Sequence, residues 1–230
     1  MSQRPSAKKV ILTSFFVDFL DVATSLVIAI ISGSVVMLAQ VLEGLADLAA
    51  SGFLLIGLIR SGKPSDKQHP FGYGRELYFW TMLSSILILG VTSTLALYFG
   101  WERFVHPQPI GNLYLAFAVL GVTTFTNGYA FSLSLKRLLR GRSIFRIRKI
   151  FVRSSLIETK TAFVLDLMGT LASIFGFAAL AFYQVTGNLI FDGLGAMAIG
   201  GLLVVFGVML IISIRELIIG QSASSETEGK

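Results

Sequence analysis

Cysteine is absent from this 230-residue chain. Thiolate metal sites, disulfides and cysteine nucleophiles are thereby excluded. Histidine is nearly absent: only His69 and His106 occur, too few for a zinc site built from several imidazoles. Charge is scarce as well. Asp, Glu, Lys and Arg make up 14% of the residues, against about 25% in a soluble domain. The chain has no Ser/His/Asp set, no phosphate-binding glycine loop and no HExxH helix. Membrane-enzyme chemistry therefore has no carrier, and neither a catalytic group nor a bound cofactor is expected.

What fills the chain instead is apolar. Hydrophobic residues reach 54% and the mean hydropathy is +0.77. Six runs are long enough to cross a bilayer, for which about 20 residues suffice: Val10–Ser32, Val35–Ile59, Leu77–Trp101, Leu113–Leu135, Leu156–Val185 and Ile190–Ile214. Runs of this length in lipid must be helices. The expected fold is all-α, a polytopic bundle of six transmembrane helices. Residues 1–9 form a basic lead, 10–219 the membrane domain, and 220–230 a polar tail with too little apolar surface to fold. The lead is read as uncleaved, since no cleavage site follows an apolar core of signal length.

The basic residues set the orientation. Arg4, Lys8 and Lys9 precede the first span. Arg60, Lys63, Lys67 and Arg75 follow the second, and eight Lys or Arg between Lys136 and Arg153 follow the fourth. The opposite side holds only Arg103. The positive-inside rule places both termini in the cytoplasm. Such loops explain the net charge of +6 without nucleic acid, and the Lys136–Arg153 stretch suits anionic lipid headgroups. Tyr98, Trp101 and Tyr114 fit an outer aromatic belt, with Tyr78 and Trp80 in an inner one.

Against this apolar background the stretch QVLEGLAD, Gln40–Asp47, stands out. Glu43 and Asp47 are four residues apart, so on a helix they share one face about 6 Å apart. Each ionisable group in mid-span costs about 2.5–3.5 kcal/mol to insert and generally marks a function. Two adjacent carboxylates repel, and a bound cation removes the repulsion. The pair reads as half of a cation site. Gln40 lies on the same side. Asp166 stands deep in the fifth span at a depth matching Asp47, so Glu43, Asp47 and Asp166 converge if those spans pack together.

Other polar residues are accessory. In the first span, Asp18 reads as an interhelical polar contact, and Asp21 with Ser25 as lining for an access path. Asn127 in the fourth span either offers a carboxamide oxygen to a cation or bonds a neighbouring helix. Glu158 sits at the inner mouth of the fifth span, within reach of Lys160 or Arg153. His69 stands alone in the turn-rich loop RSGKPSDKQHPFGYGRELYFW, as a structural or entry group. Asp192 opens the sixth span, where it can cap or serve an outer exit. Gly195, Ala196, Gly200 and Gly201 allow close helix approach there.

Three stretches, SGSVVMLAQVLEGLADLAASG, HPFGYGRELYFW and FDGLGAMAIGGLLVVFGVMLIISIRELIIGQSA, together with the six-span order, resemble the transmembrane part of a cation diffusion facilitator. That family consists of divalent-metal efflux transporters. The resemblance implies a transport site of two residues four apart on the second span and two on the fifth, usually His or Asp. These fall on Glu43, Asp47 and Asp166, with Ala162 in the remaining place. Alanine cannot bind metal, so three oxygen ligands remain, the fourth position going to water, Asn127 or another group. Oxygen ligands without imidazole favour Fe²⁺ or Mn²⁺ over Zn²⁺. The family pattern further implies metal/proton antiport by alternating access, as a homodimer, out of the cytoplasm across a bacterial inner membrane. Lacking a histidine in the site, coupling falls to the carboxylates, which hold protons when metal-free and release them to metal. Members normally carry a cytoplasmic metal-binding domain after the sixth span; this chain stops before one and reads as either a short member or a truncated chain. Ala162 also fits a second reading, a degenerate homologue that no longer transports and serves as a partner subunit.

Overall fold

The computed structural model describes residues 7–139, 143–147, 151 and 157–219, with the backbone alone for 7–15, 17, 146, 157–158 and 216–219. Six long helices run through it: α1 (Ala7–Ser32), α2 (Val35–Ser61), α3 (Glu76–Val105), α4 (Leu113–Leu139), α5 (Ile157–Thr186) and α6 (Ile190–Ile219). The shortest has 26 residues, about 39 Å at 1.5 Å per residue, and the hydrocarbon layer is about 30 Å. Among the described residues, α2 to α6 each contain a span apolar enough to cross a membrane. No strand occurs among the described residues. The expected tail, 220–230, and most of the basic stretch after Leu139 lie outside the described residues.

Burial departs from that of a soluble protein on the outer surface, where many large apolar side chains are exposed. On α4, Val122, Phe125 and Tyr129 are exposed while Thr123 and Ser134 are buried. Gln40, Glu43, Thr81, Ser84 and Ser173 are also buried, and Ile30, Val185 and Val205 face outward. Large exposed apolar faces around a core that is apolar but also holds polar side chains are what a lipid solvent selects. Trp101 and Tyr98 near the end of α3 and Tyr114 at the start of α4 are exposed. Trp80 is tied down near the start of α3: its Nε1 donates to Glu76 Oε2 at 2.7 Å and the Arg60 guanidinium lies 5.3 Å over its ring.

Local chemistry sets the first turn. Gly33 takes φ +64°, and its N–H closes on Ala29 O at 2.9 Å, the left-handed cap that glycine adopts without steric cost. Ser34 then caps α2, its Oγ accepting from Met37 N at 3.3 Å. α1 and α2 thus pack antiparallel. α2 is the hub of the bundle, packing against α1, α3, α5 and α6, while α4 lies against α5 and α1. In the middle of α3 one π-turn, Ile88–Thr92, shifts the helix register where it meets α6.

The α3–α6 pairing rests on glycines seven residues apart. A Cβ on Gly193 would stand 2.6 Å from Phe104 N, one on Gly200 2.9 Å from Leu97 N, and one on Gly207 3.2 Å from Leu89 Cβ. Gly195 serves a different contact, toward Val36 and Ala179, and Gly201 faces no atom within 4 Å. Of the small residues singled out in the sequence, Gly200 therefore lies in the seam with α3, and Gly201 does not.

Candidate metal site

The acidic face of α2 is held where three other helices meet it. Gly44 is the device on the α1 side: a Cβ there would stand 2.6 Å from Val22 Cγ2, so only glycine lets α1 close in. That approach brings Asp18 and Asp21 to α2. Ser51 Oγ reaches Asp18 Oδ2 at 3.5 Å, and Thr123 Oγ1 of α4 donates to Asp21 Oδ1 at 3.0 Å. Asp18, Asp21, Glu43, Asp47 and Asp166 act on one another electrostatically. On α5, Asp166 is half-buried beside Ser134 and within the field of Arg137.

Glu43 is buried and Asp47 half-buried. Their carboxyl groups lie within electrostatic reach of each other, one helix turn apart. Two carboxylates repel at this range, and a proton or a bound cation relieves the repulsion. Glu43 Oε1 and Asp47 Oδ1 have no hydrogen-bond partner, nor do either of the amide atoms of Gln40. A Cβ on Gly169 of α5 would stand 2.9 Å from Glu43 Oε1 and 2.9 Å from Asn127 Nδ2. Gly169 therefore clears the space in which α2, α4 and α5 present polar groups to one another.

Five carboxylates thus share one field, spread along the bundle axis. Among the described residues, no three carboxylate or imidazole groups stand close enough to hold one metal ion between them. Glu43 and Asp47 form the tight pair. Asp166 reaches Asp47 through space and Asp18 stands nearby. The sequence singled out the α2 and α5 carboxylates; Asp18 joins them only because α1 packs against α2. A cleft of about 360 Å³ between α1 and α4 ends on Asp21 and Thr123.

The remaining candidates sit elsewhere. Glu158 is on the first turn of α5, with its side chain outside the described residues. Asp192 is completely buried, and it caps α2 rather than its own helix. Its Oδ1 accepts from Ser34 Oγ at 2.6 Å and Val36 N at 3.0 Å, and its Oδ2 from Val35 N at 3.0 Å. Arg103 Nη1 adds an ion pair at 3.2 Å.

His69 lies in the loop after α2, about 20 Å along the helix from the Asp47 level. Its N–H and that of Gln68 donate to Asp66 Oδ1 at 2.7 and 2.9 Å, and Tyr73 OH donates to Asp66 Oδ2 at 2.7 Å. The Tyr73 hydroxyl, with the His69 backbone next, holds the Asp66 carboxyl below its ordinary range. Loop order from this turn is complete at neutral pH and is lost as pH falls through that lowered value. Tyr73→Phe is expected to return the Asp66 titration toward the ordinary carboxylate range, measured by NMR; an unmoved Asp66 would show the hydroxyl is not its partner.

Residues 11–218 match the family model described as the cation efflux transmembrane domain. The chain belongs to the cation diffusion facilitator family. Two relatives match nearly its whole length and a third matches part of it. "Proton-coupled zinc antiporter SLC30A9, mitochondrial" of Homo sapiens is 26% identical over 223 residues, 95% of this chain and 39% of that protein. "Metal tolerance protein C4" of Arabidopsis thaliana is 24% identical over 226 residues, 97% of this chain and 50% of that protein. "Cation-efflux pump FieF" of Shewanella oneidensis is 29% identical over 143 residues, 62% of this chain and 46% of that protein. The chain spans half or less of the length of these relatives. Membership agrees with a multi-pass bundle of apolar helices.

Proposed function

We propose that this chain moves a divalent cation of the Mn²⁺, Fe²⁺ or Zn²⁺ class out of the cytoplasm in exchange for protons. The carrying observation is the buried Glu43 with Asp47 one turn away on α2, whose unpartnered Oε1 and Oδ1 a proton or a cation can neutralise. A divalent ion arriving between those oxygens takes the proton's place, and the proton leaves. Cargo and proton therefore compete for the same atoms, which is the requirement for exchange. Asp166 and Asp18 supply further negative field, and Arg137 offsets part of it at the inner end. The relatives named as a proton-coupled zinc antiporter and a cation-efflux pump support cargo class and coupling. The Lys and Arg distribution supports cytoplasmic termini, and alternating exposure of the acidic cluster in a homodimer completes the cycle.

The test is metal uptake into proteoliposomes under an imposed pH gradient. Asp47→Ala and Asp166→Ala are expected to lower uptake by about a hundredfold or more, since changes in a metal's outer sphere alone cost about 10–100-fold. Full uptake by either variant would remove that residue from the site. Uptake by the parent protein that ignored the gradient would make the protein a channel.

A further inference from the structure

Two neutral amides, Gln40 and Asn127, also stand near Glu43. Gln40 is 3% exposed, and neither Oε1 nor Nε2 of its carboxamide has a partner. A buried carboxamide with no partner is costly and is seldom retained without use. Its direction follows from its neighbours on the same stripe of α2. A Cβ on Gly176 of α5 would stand 3.1 Å from Val36 Cγ1, and one on Gly169 2.9 Å from Glu43 Oε1. Gln40 lies between Val36 and Glu43, so it faces the same α5 seam, level with the buried Ala172 and Ser173. Asn127 enters that seam from α4, its Nδ2 2.9 Å from the Gly169 Cβ position.

Half a turn of the Asn127 carboxamide presents its oxygen to the same space. The donors are then one carboxylate oxygen and two amide oxygens. This set carries a single negative charge and no nitrogen or sulfur. It suits a hard divalent cation that keeps part of its water shell, and suits Zn²⁺ less. The level is also distinct. Gln40 is seven residues from Asp47, about 10 Å toward the Val35 end of α2, while Asp166 and its neighbour Ser134 lie toward the opposite end.

We propose that Gln40, Glu43 and Asn127, in the space Gly169 leaves open, form a second cation station for a partly hydrated, oxygen-preferring divalent ion, outward of Asp47 and Asp166. Glu43 belongs to both levels and hands the ion from one to the other. This assignment rests on the antiport reading above. It gives the chain a neutral-oxygen relay on the way out, where a wholly acidic path would hold the ion too tightly to release it.

The experiment is Mn²⁺ titration of the purified full chain in detergent, read by calorimetry and by the loss of the free Mn²⁺ paramagnetic resonance signal. The parent protein is expected to bind two Mn²⁺ per chain. Gly169→Ala, whose new methyl occupies the seam, and Asn127→Ala are each expected to bind one, as is Gln40→Met, which keeps the side-chain volume. Asn127→Asp is expected to keep both and to tighten one about tenfold, because a charged oxygen replaces a neutral one. Size-exclusion profile and melting temperature report folding of each variant. Two ions bound by both Gly169→Ala and Asn127→Ala would overturn the second station. One ion bound by the parent, lost in Asp47→Ala and kept in Asn127→Ala, would overturn the station and leave the antiport reading standing. No Mn²⁺ or Zn²⁺ bound by the parent would overturn both.

Discussion

Replacing Asp192 with alanine is expected to destabilise the protein by about 3–5 kcal/mol, the cost of removing one partner from a buried ion pair. Asp192 is 0% exposed and serves two clients. The first is the N-terminus of α2, where Val35 N, Val36 N and Ser34 Oγ donate to its oxygens. Three donors and the positive end of a helix dipole stabilise a carboxylate strongly there. The second is Arg103, the one basic residue that the sequence places on the outer side, whose Nη1 is 3.2 Å from Asp192 Oδ2. Arg103 also donates from Nη2 to Gly33 O at 2.6 Å and from Nη1 to Gln108 O at 3.3 Å. One carboxylate and one guanidinium thus fasten α6, α3 and the α1–α2 turn together. Asp192→Ala leaves two backbone N–H groups unpaired and a guanidinium with carbonyls only. Arg103→Ala is expected to cost less, because three donors remain on Asp192. Melting curves of both single variants and the double variant in detergent measure the coupling. Equal melting temperatures for Asp192→Ala and the parent would contradict this account.

The helices were legible from hydropathy because lipid demands long apolar runs. Their starts agree best: Val35, Leu113 and Ile190 open α2, α4 and α6 as expected. Several ends differ. α2 continues to Ser61, α3 to Val105, α4 to Leu139 and α6 to Ile219, beyond the expected Ile59, Trp101, Leu135 and Ile214. Hydropathy reports where the hydrocarbon stops, whereas a helix stops where its hydrogen bonds find other partners. Basic last turns such as Lys136–Arg137 carry the helix into the headgroup region.

The site was legible only in part, for a related reason. Spacing along one helix fixes which residues share a face, so Glu43 and Asp47 were visible as a pair. Spacing cannot tell which helices are neighbours. Asp18 looked like an isolated polar contact, and it does reach Ser51, but the tight Gly44–Val22 approach also brings it into the field of Asp166 and Asp47. Asp192 looked like a cap for its own helix, and the backbone N–H groups it accepts from lie more than 150 residues away. Gly169 carried no signal at all among 23 glycines. Its role exists only where α2 and α4 press against α5.

The glycine seam between α3 and α6 gives the other large expected effect, and it is selective. Gly193→Ala places a methyl 2.6 Å from Phe104 N and 2.8 Å from Gly100 O. Both are backbone atoms of a neighbouring helix and cannot swing aside, so the helices must part. Overpacking of this kind costs about 1–3 kcal/mol and more when backbone is involved; Gly193→Leu is expected to exceed that range. Parting at Gly193 also pulls on Asp192, its chain neighbour, and so loosens the cap on α2. The same change eight residues on has the opposite expected sign. Gly201 faces no atom within 4 Å, and alanine there gains up to about 1 kcal/mol of helix propensity. Thermal unfolding of Gly193→Ala and Gly201→Ala in one detergent decides between a built seam and mere glycine richness. A built seam lowers the first melting temperature and holds or raises the second. Equal shifts would mean that α3 and α6 meet through side chains able to adjust, and the seven-residue glycine spacing would lose its physical meaning.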